Sequence, residues 1–582
     1  MGQRNDSGTR KRHLTGSSRK YLIAFLMIWV AQMAAAFYFC TQKQGFHEDE
    51  YYTYYGTART NGFYVEDGQW MDRETYLNEF VVLPDQRFQY GLVKLVQSWD
   101  VHPPMYYWVF HTVQSLTPNV FSKWTGLSIN LFFHGINLIL LTLMSYLVGG
   151  RDWKLSLFVT LCYGFTPASI SGVTFIRMYE MLTAMVLLCA VLHVRAVQAD
   201  EKKLSAGKYL VPMAVVTYVG FLTQYYYFIF LFYLAIAFGV WMLWRDRNLW
   251  NCIRYGIAQG SALILAYLTY PSCLGQMFRG QRGAQATKSF FDLSNTLERF
   301  WFFGDLMNRY AFGHLFFAGL VLILLLAVVC RRRRNIVREG FGNDAVGKKG
   351  ISEERSGFQG DVKVIGQDDA RVGKEFWLLM FAAVGYFLTV SKTALLLGAT
   401  SNRYQLPIYG IAVLLVFIGV QRLWRAALAS VVRYGKYTGY VVMVLCLVAV
   451  ILSLHFDGVL FLYPEDREEM AFAKECAARD IPAVYFYQKG EEWCIWDVVN
   501  ELFAYPEVYF VEAWGEEPVV DERIRNAEEL VVYIAGEADV EKQKERITAA
   551  NRRDVDAVQR IFSEKYCDVY YFFHEHSAKV KN

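Results

Sequence analysis

The stretch YLIAFLMIWVAQMAAAFYFC, Tyr21 to Cys40, followed at once by TQKQGFHEDEYYTYYG, Thr41 to Gly56, decides what kind of fold this chain can have. An apolar run of this length forms one helix that crosses a hydrocarbon layer of ~30 Å. Directly after it come His47, Glu48, Asp49 and Glu50, then Tyr51, Tyr52, Tyr54 and Tyr55. Upstream, Met1–Lys20 carries six Lys/Arg against one Asp. No small-residue cleavage pattern follows the apolar run, so Tyr21–Cys40 reads as a retained span behind a basic cytoplasmic tail, residues 1–20.

The pattern recurs along the chain. Of 582 residues, 54% are hydrophobic, 17% aromatic and only 20% charged, and the mean hydropathy is +0.17. A soluble protein of this size carries more charge and fewer aromatics. Further spans are expected near 124–148, 153–172, 176–196, 208–223, 225–244, 254–272, 311–330, 376–391, 403–420 and 437–456. Val101–Leu116 is shorter and more polar, and suits an interfacial or re-entrant helix. The net charge of +4, from 59 basic and 55 acidic residues, points to no nucleic-acid partner. Its distribution does carry information. GGRDWK, RAVQADEKKLSAGK, WRDRNLWNCIR, RRRRNIVREG and QRLWRAALASVVRYGK all fall on the same side as the basic tail. The positive-inside rule then gives about eleven spans in a multi-pass cell-membrane protein, with a cytoplasmic N-terminus. The acidic stretch and the C-terminus are outside.

Three segments stand apart from the spans. Residues 41–117 form a long first outside loop with interfacial helices. Residues 331–374 are Gly-rich and charged, and are expected to be a flexible cytoplasmic loop. In residues 457–582, AVYFYQ (483–488), EVYFVEAW (507–514), LVVYIAG (530–536) and CDVYYFF (567–573) alternate with charged helical stretches. That alternation predicts a small extracytoplasmic α/β domain with a mainly parallel sheet. It shows no catalytic motif, so a role in acceptor selection is expected of it. The ten cysteines show no CxxC pair and mostly lie in apolar runs; Cys476, Cys494 and Cys567 leave room for one bridge.

The order of motifs on the outside is specific. Asp49-Glu50 follow the first span, and VHPPMYYW (101–108) lies some fifty residues on, with His102 in an extended entry to a helix beginning near Pro103. FIRMYEMLTAMVLL (175–188), LTQYYYFIF (222–230), FRGQRG (278–283) and NRYQLP (402–407) come later. Together they resemble the membrane glycosyltransferases of the GT-C fold, in the family that includes protein O-mannosyltransferases and the bacterial aminoarabinose transferase. The resemblance runs over about residues 21–456. It implies a GT-C-like polytopic helical membrane domain, in front of the α/β domain read from the strand pattern. It also implies an enzyme of the cell envelope that moves a hexosyl or pentosyl group from a polyprenyl-phosphate donor to an acceptor hydroxyl on a glycan, lipid or protein.

By the same resemblance Asp49 is the general base, and Glu50 orients it or binds the sugar. His102, Arg177, Tyr179, Arg403 and Tyr404 bind the donor phosphate, and Arg279 and Arg282 sit on a substrate loop whose glycines let it close. No cofactor is required. A divalent metal stays open, with His47 as its candidate ligand, and Gln224 stands where relatives often have an imidazole. Each residue also has a plainer reading. Asp49 and Glu50 could be solvated helix-end charges, His102 a helix cap, Arg177 and Arg403 snorkelling cations, and the tyrosines interfacial aromatics. The alternative function is a transporter or flippase of a lipid-linked glycan. Transporters concentrate ionisable groups near the bilayer midplane, whereas here they gather at span ends.

Overall fold

The computed structural model describes residues 16–58, 64–199, 201–247, 249–346, 372–428, 435–536, 538–551 and 557–573. Seven helices in it are long and apolar enough to cross a membrane: Arg19–Gln42, Lys123–Val148, Tyr179–Ala199, Ala206–Thr223, Tyr226–Asp246, Lys374–Thr393 and Leu406–Ala427. Three expected spans are instead bent pairs. Trp153–Gly164 turns by 58° into Pro167–Thr174, Trp250–Thr269 by 100° into Ser272–Phe278, and Thr296–Ala311 by 98° into Phe316–Arg332. Counting each pair as one span gives ten, and a shorter apolar helix, Val444–Phe456, adds to them.

The bends have local causes. Thr166 caps the helix Pro167–Thr174 through Ser169 N (3.1 Å), with Pro167 in its first turn. Pro271 opens Ser272–Phe278, and Gly313 and His314 take left-handed backbone at the third bend. The expected loop at 331–374 is helical in its first part, because the helix from Phe316 continues to Val346. Residues 347–371 of that expectation lie outside the described residues.

Polar side chains inside the bundle satisfy backbone that the bends expose, as a bilayer interior demands. Asn130 donates to Val173 O (3.1 Å) and Phe175 O (2.6 Å), at the non-helical break between Thr174 and Tyr179. Asn137 donates to the Glu180 carboxylate (2.7 Å). A Cβ on Gly172 would lie 2.3 Å from that same carboxylate, so only glycine admits this approach.

The sheet differs from expectation in composition and direction. Its six strands are β1 (Gln69–Asp72), β2 (Ala483–Tyr487), β3 (Glu507–Glu512), β4 (Glu529–Ala535), β5 (Ala557–Ser563) and β6 (Cys567–Phe573), in the order β1-β3-β2-β4-β6-β5. Only β2–β3 and β2–β4 are parallel; β1–β3, β4–β6 and β5–β6 are antiparallel. The sheet is therefore mixed. A three-residue connection between β5 and β6 can join strands only antiparallel, and β5 escapes a sequence reading because half-exposed edge residues blunt its apolar signal. β1 comes from the segment after the first span, so residues 457–582 do not complete their own sheet.

Alternation divides β2 between two cores. Val484 and Phe486 face one core with Ile547 of the helix Val540–Thr548, while Ala483, Tyr485 and Tyr487 face the core continuous with the helical bundle. Trp496 lies across that junction, 4.3 Å from Tyr52 and 5.0 Å from Tyr55 between ring centroids. Tyr76 donates to Leu502 O (2.6 Å). The sheet domain is thus packed onto the acidic helix, not tethered beside it.

Candidate active site

The acidic residues start the helix Glu48–Ala58, where carboxylates complement the N-terminal end of the helix dipole. Adjacent helix positions point about 100° apart, and the two central carboxylates part company accordingly. Glu50 is 0% exposed. It accepts from Lys43 Nζ (2.9 Å), His47 N (2.6 Å) and Ile176 N (2.6 Å). Lys43 also donates to Phe461 O (2.7 Å). Glu50 therefore binds the acidic helix to the break at 175–178 and to the segment after the last span. Its carboxylate is consumed by these bonds, so the expected role in orienting the base or holding sugar gives way to a structural one.

Asp49 faces the other way, with its side chain 27% exposed. Arg403 Nη2 lies 2.9 Å from its Oδ2. Arg177 Nη1 donates to Asp49 O (2.9 Å), Thr53 Oγ1 (3.1 Å) and Tyr107 Oη (3.0 Å). Arg177 Nη2 reaches the His102 ring at 3.2 Å, and His102 Nδ1 lies 3.0 Å from Asp100 Oδ2. Burial would raise the Asp49 carboxyl, but Arg403 and Arg177 outweigh it and hold the group well below the usual carboxylate range. Asp100, one third exposed, is also lowered: its desolvation is outweighed by His102 and Arg177. Four segments distant in sequence thus converge on one aspartate.

Arg177 sits in the break before the helix Tyr179–Ala199, and Arg403 in the 3₁₀ turn Gly398–Tyr404 before the next span. Both are almost fully buried, at 3% and 6% exposure, which plain snorkelling does not produce. Nε and Nη1 of Arg403 are buried without a hydrogen-bond partner. Beside them lies a small pocket, with room for about one water molecule, lined by Arg403, Phe175, Tyr179, Asn402, Phe461 and the helix Pro167–Thr174. Tyr404 accepts from Arg403 (3.3 Å) and meets the Tyr179 ring edge-on at 6.1 Å. Phe461 closes one wall by stacking on Phe175 at 4.0 Å.

The remaining expected residues fall elsewhere. His47 Nδ1 accepts from Asp49 N (3.0 Å), and burial lowers its pKa to about 4. Its neighbours Asp49 and Glu50 pair with Arg403 and Lys43, and among the described residues the three-ligand group that forms does not include His47. His102 lies in a bend rather than at the helix mouth, because Pro104 takes the cap of Met105–Leu116. Arg279 and Arg282 are exposed, and no hydrogen bond or ion pair among the described residues ties them to Asp49, Arg177 or Arg403. The expected substrate loop is short: Arg279 ends the helix Ser272–Phe278, Gly280 caps the next, and Arg282 lies in the helix Gln281–Phe291. Gly283 serves close packing, since a Cβ there would lie 2.3 Å from Met277 O. Gln224 caps its helix and accepts from Tyr225 N (2.6 Å).

Lys43, Thr53, Asp100, Tyr107 and Phe461 were not singled out in the sequence. Only Lys43 carries a local signal, as a lone cation between an apolar span and an acidic run.

No protein-family model matches the chain, and no curated protein does. Among solved structures, two crystal structures of ArnT from Cupriavidus metallidurans are similar to it over 96% of this chain and 98% of theirs, at 11% identity. The one bound to undecaprenyl phosphate gives a TM-score of 0.47, and the one in the apo state 0.44.

Proposed function

We propose that this chain is a membrane glycosyltransferase that moves a sugar from a polyprenyl-phosphate donor to an acceptor hydroxyl at the outer membrane surface, with Asp49 as general base. The observation that carries the reading is Arg403. A buried guanidinium with two unpartnered donors beside a pocket is costly unless an anion completes it. Arg177 lies one aspartate away, so a phosphate there would meet two cations while its lipid tail stays among the span ends.

In this reading Asp49 and the two arginines divide the work. The acceptor oxygen attacks the anomeric carbon, and the bond from that carbon to the phosphate oxygen breaks. The hydroxyl proton passes to Asp49, and the negative charge left on the polyprenyl phosphate is met by Arg403 and Arg177. In the resting protein Arg403 holds Asp49 too acidic to be a strong base. Donor phosphate competing for that guanidinium loosens the pair and raises the basicity of Asp49 at the moment it is needed. His102, oriented by Asp100, keeps Arg177 in place.

Arg403→Ala and Arg177→Ala are expected to weaken donor binding by about 10-fold or more each, since one charged hydrogen bond contributes roughly 1.5–3 kcal/mol. Titration of the purified variants with a polyprenyl-phosphate sugar measures this. Unchanged affinity in both would leave the arginines a purely structural task and end the phosphate-site reading. The outer-face assignment rests on the basic loops alone. An impermeant protease added to intact cells should therefore reach the sheet domain, and cleavage only from the cytoplasmic side would invert the topology.

A further inference from the structure

A second group of carboxylates lies in the sheet domain, away from Asp49 and unused by the transfer chemistry. Asp466 and Glu469 share one face of the helix Asp466–Ala478, three residues apart. Glu501 comes from the short helix Val499–Leu502. One oxygen from each of the three lies within 4.8 Å of the others. Ligands held 2.3–2.6 Å from one calcium ion can be no more than roughly 5 Å apart, so the spacing suits a shared cation. Glu564, in the turn between β5 and β6, is a close neighbour of Glu469 and lines the same small pocket as Glu469 and Glu501.

The independent sign of a ligand is Glu501 itself. It is 5% exposed, and its Oε2 is buried with no hydrogen-bond partner. An unpaired carboxylate oxygen in such a place is expensive. Among the described residues no Lys or Arg forms an ion pair with any of the four carboxylates. Lys43, whose charge reaches Asp466, is bonded to Glu50 and Phe461 O instead.

We propose that Asp466, Glu469 and Glu501, supported by Glu564, form a binding site for a hard divalent cation, calcium foremost. Every donor is a carboxylate oxygen and none is nitrogen or sulfur, which selects against zinc and copper. Asp466 is only half-buried, so water enters from its side to fill the remaining positions of a six- to eight-coordinate ion. The place gives the ion a purpose. Asp466 Oδ2 occupies the space a Cβ on Gly45 would take, 1.4 Å from that point, so the site adjoins the turn into the acidic helix. A bound cation would fasten the sheet domain to that turn. The inference does not depend on the transferase reading.

The test uses the full-length protein in detergent, freed of metal by a chelator. Calcium chloride alone should bind once per chain with a Kd between about 1 µM and 1 mM and raise the unfolding midpoint in a dose-dependent way. Magnesium at the same concentrations should do less, because it demands a smaller octahedral cage. Glu501→Gln keeps the shape, relieves repulsion and should fold, yet lose the calcium shift; Glu475→Gln, exposed on the same helix, should keep it. Absence of saturable binding of calcium, magnesium or manganese to the wild-type chain would overturn the proposal, as would a Glu501→Gln variant with an undiminished calcium shift. If Glu501→Gln does not fold, Glu469→Gln and the wild-type titration decide in its place.

Discussion

Asp49→Asn is expected to lower sugar transfer by about 100- to 10,000-fold, the range lost with a general base, while the chain still inserts and folds. The amide retains the shape of the side chain and can still meet Arg403. The bond from Arg177 goes to the Asp49 backbone oxygen and survives the change. The ability to accept a proton disappears, and so does the charge that pairs with Arg403, so some loss of unfolding midpoint accompanies the loss of transfer. Purified variant protein, compared with wild type for transfer and for thermal unfolding, separates the two effects. Near-normal turnover in a folded variant would remove Asp49 from the base role.

Glu50→Ala should behave in the opposite way, failing in stability before chemistry. It strips a buried lysine of its partner and leaves Ile176 N without its acceptor. Breaking a buried pair from one side typically costs about 3–5 kcal/mol, enough to threaten the whole fold of a marginal protein. The double variant Lys43→Met with Glu50→Gln should recover a large part of the lost unfolding midpoint, because no isolated charge is then buried. A Glu50→Ala protein of wild-type stability that has lost transfer would return Glu50 to the chemistry.

The contrast between these neighbours marks what a sequence can and cannot convey here. An acidic run after a span drew the eye to Asp49, and His102, Arg177 and Arg403 were picked out by the resemblance, as ligands of a donor phosphate; that they gather round Asp49 is visible only in the fold. The sequence does not say which carboxylate faces the site. That depends on the rotation of one helix, and it is fixed by Lys43 and by the break at Ile176, which lies 126 residues away. The sheet repeats the lesson. β2, β3 and β4 are continuous apolar runs and are easily read. The edge strand β1 is only four residues long and pairs with β3 across the length of the chain, so no local pattern reveals it. Phe461 is likewise an unremarkable aromatic until the fold stacks it on Phe175 and makes it a wall of the pocket. A truncation at 460 would therefore remove that wall and the acceptor for Lys43, and not only a recognition module.

The most direct test of the transferase account is mass spectrometry of lipid-linked sugars in cells whose only copy of the protein carries Asp49→Asn. Loss of the base with the donor site intact predicts that one polyprenyl-monophosphate sugar accumulates, and that the same sugar disappears from its envelope acceptor. An unchanged lipid-linked pool and unchanged envelope glycans, in cells where the variant is present and folded, would contradict the account.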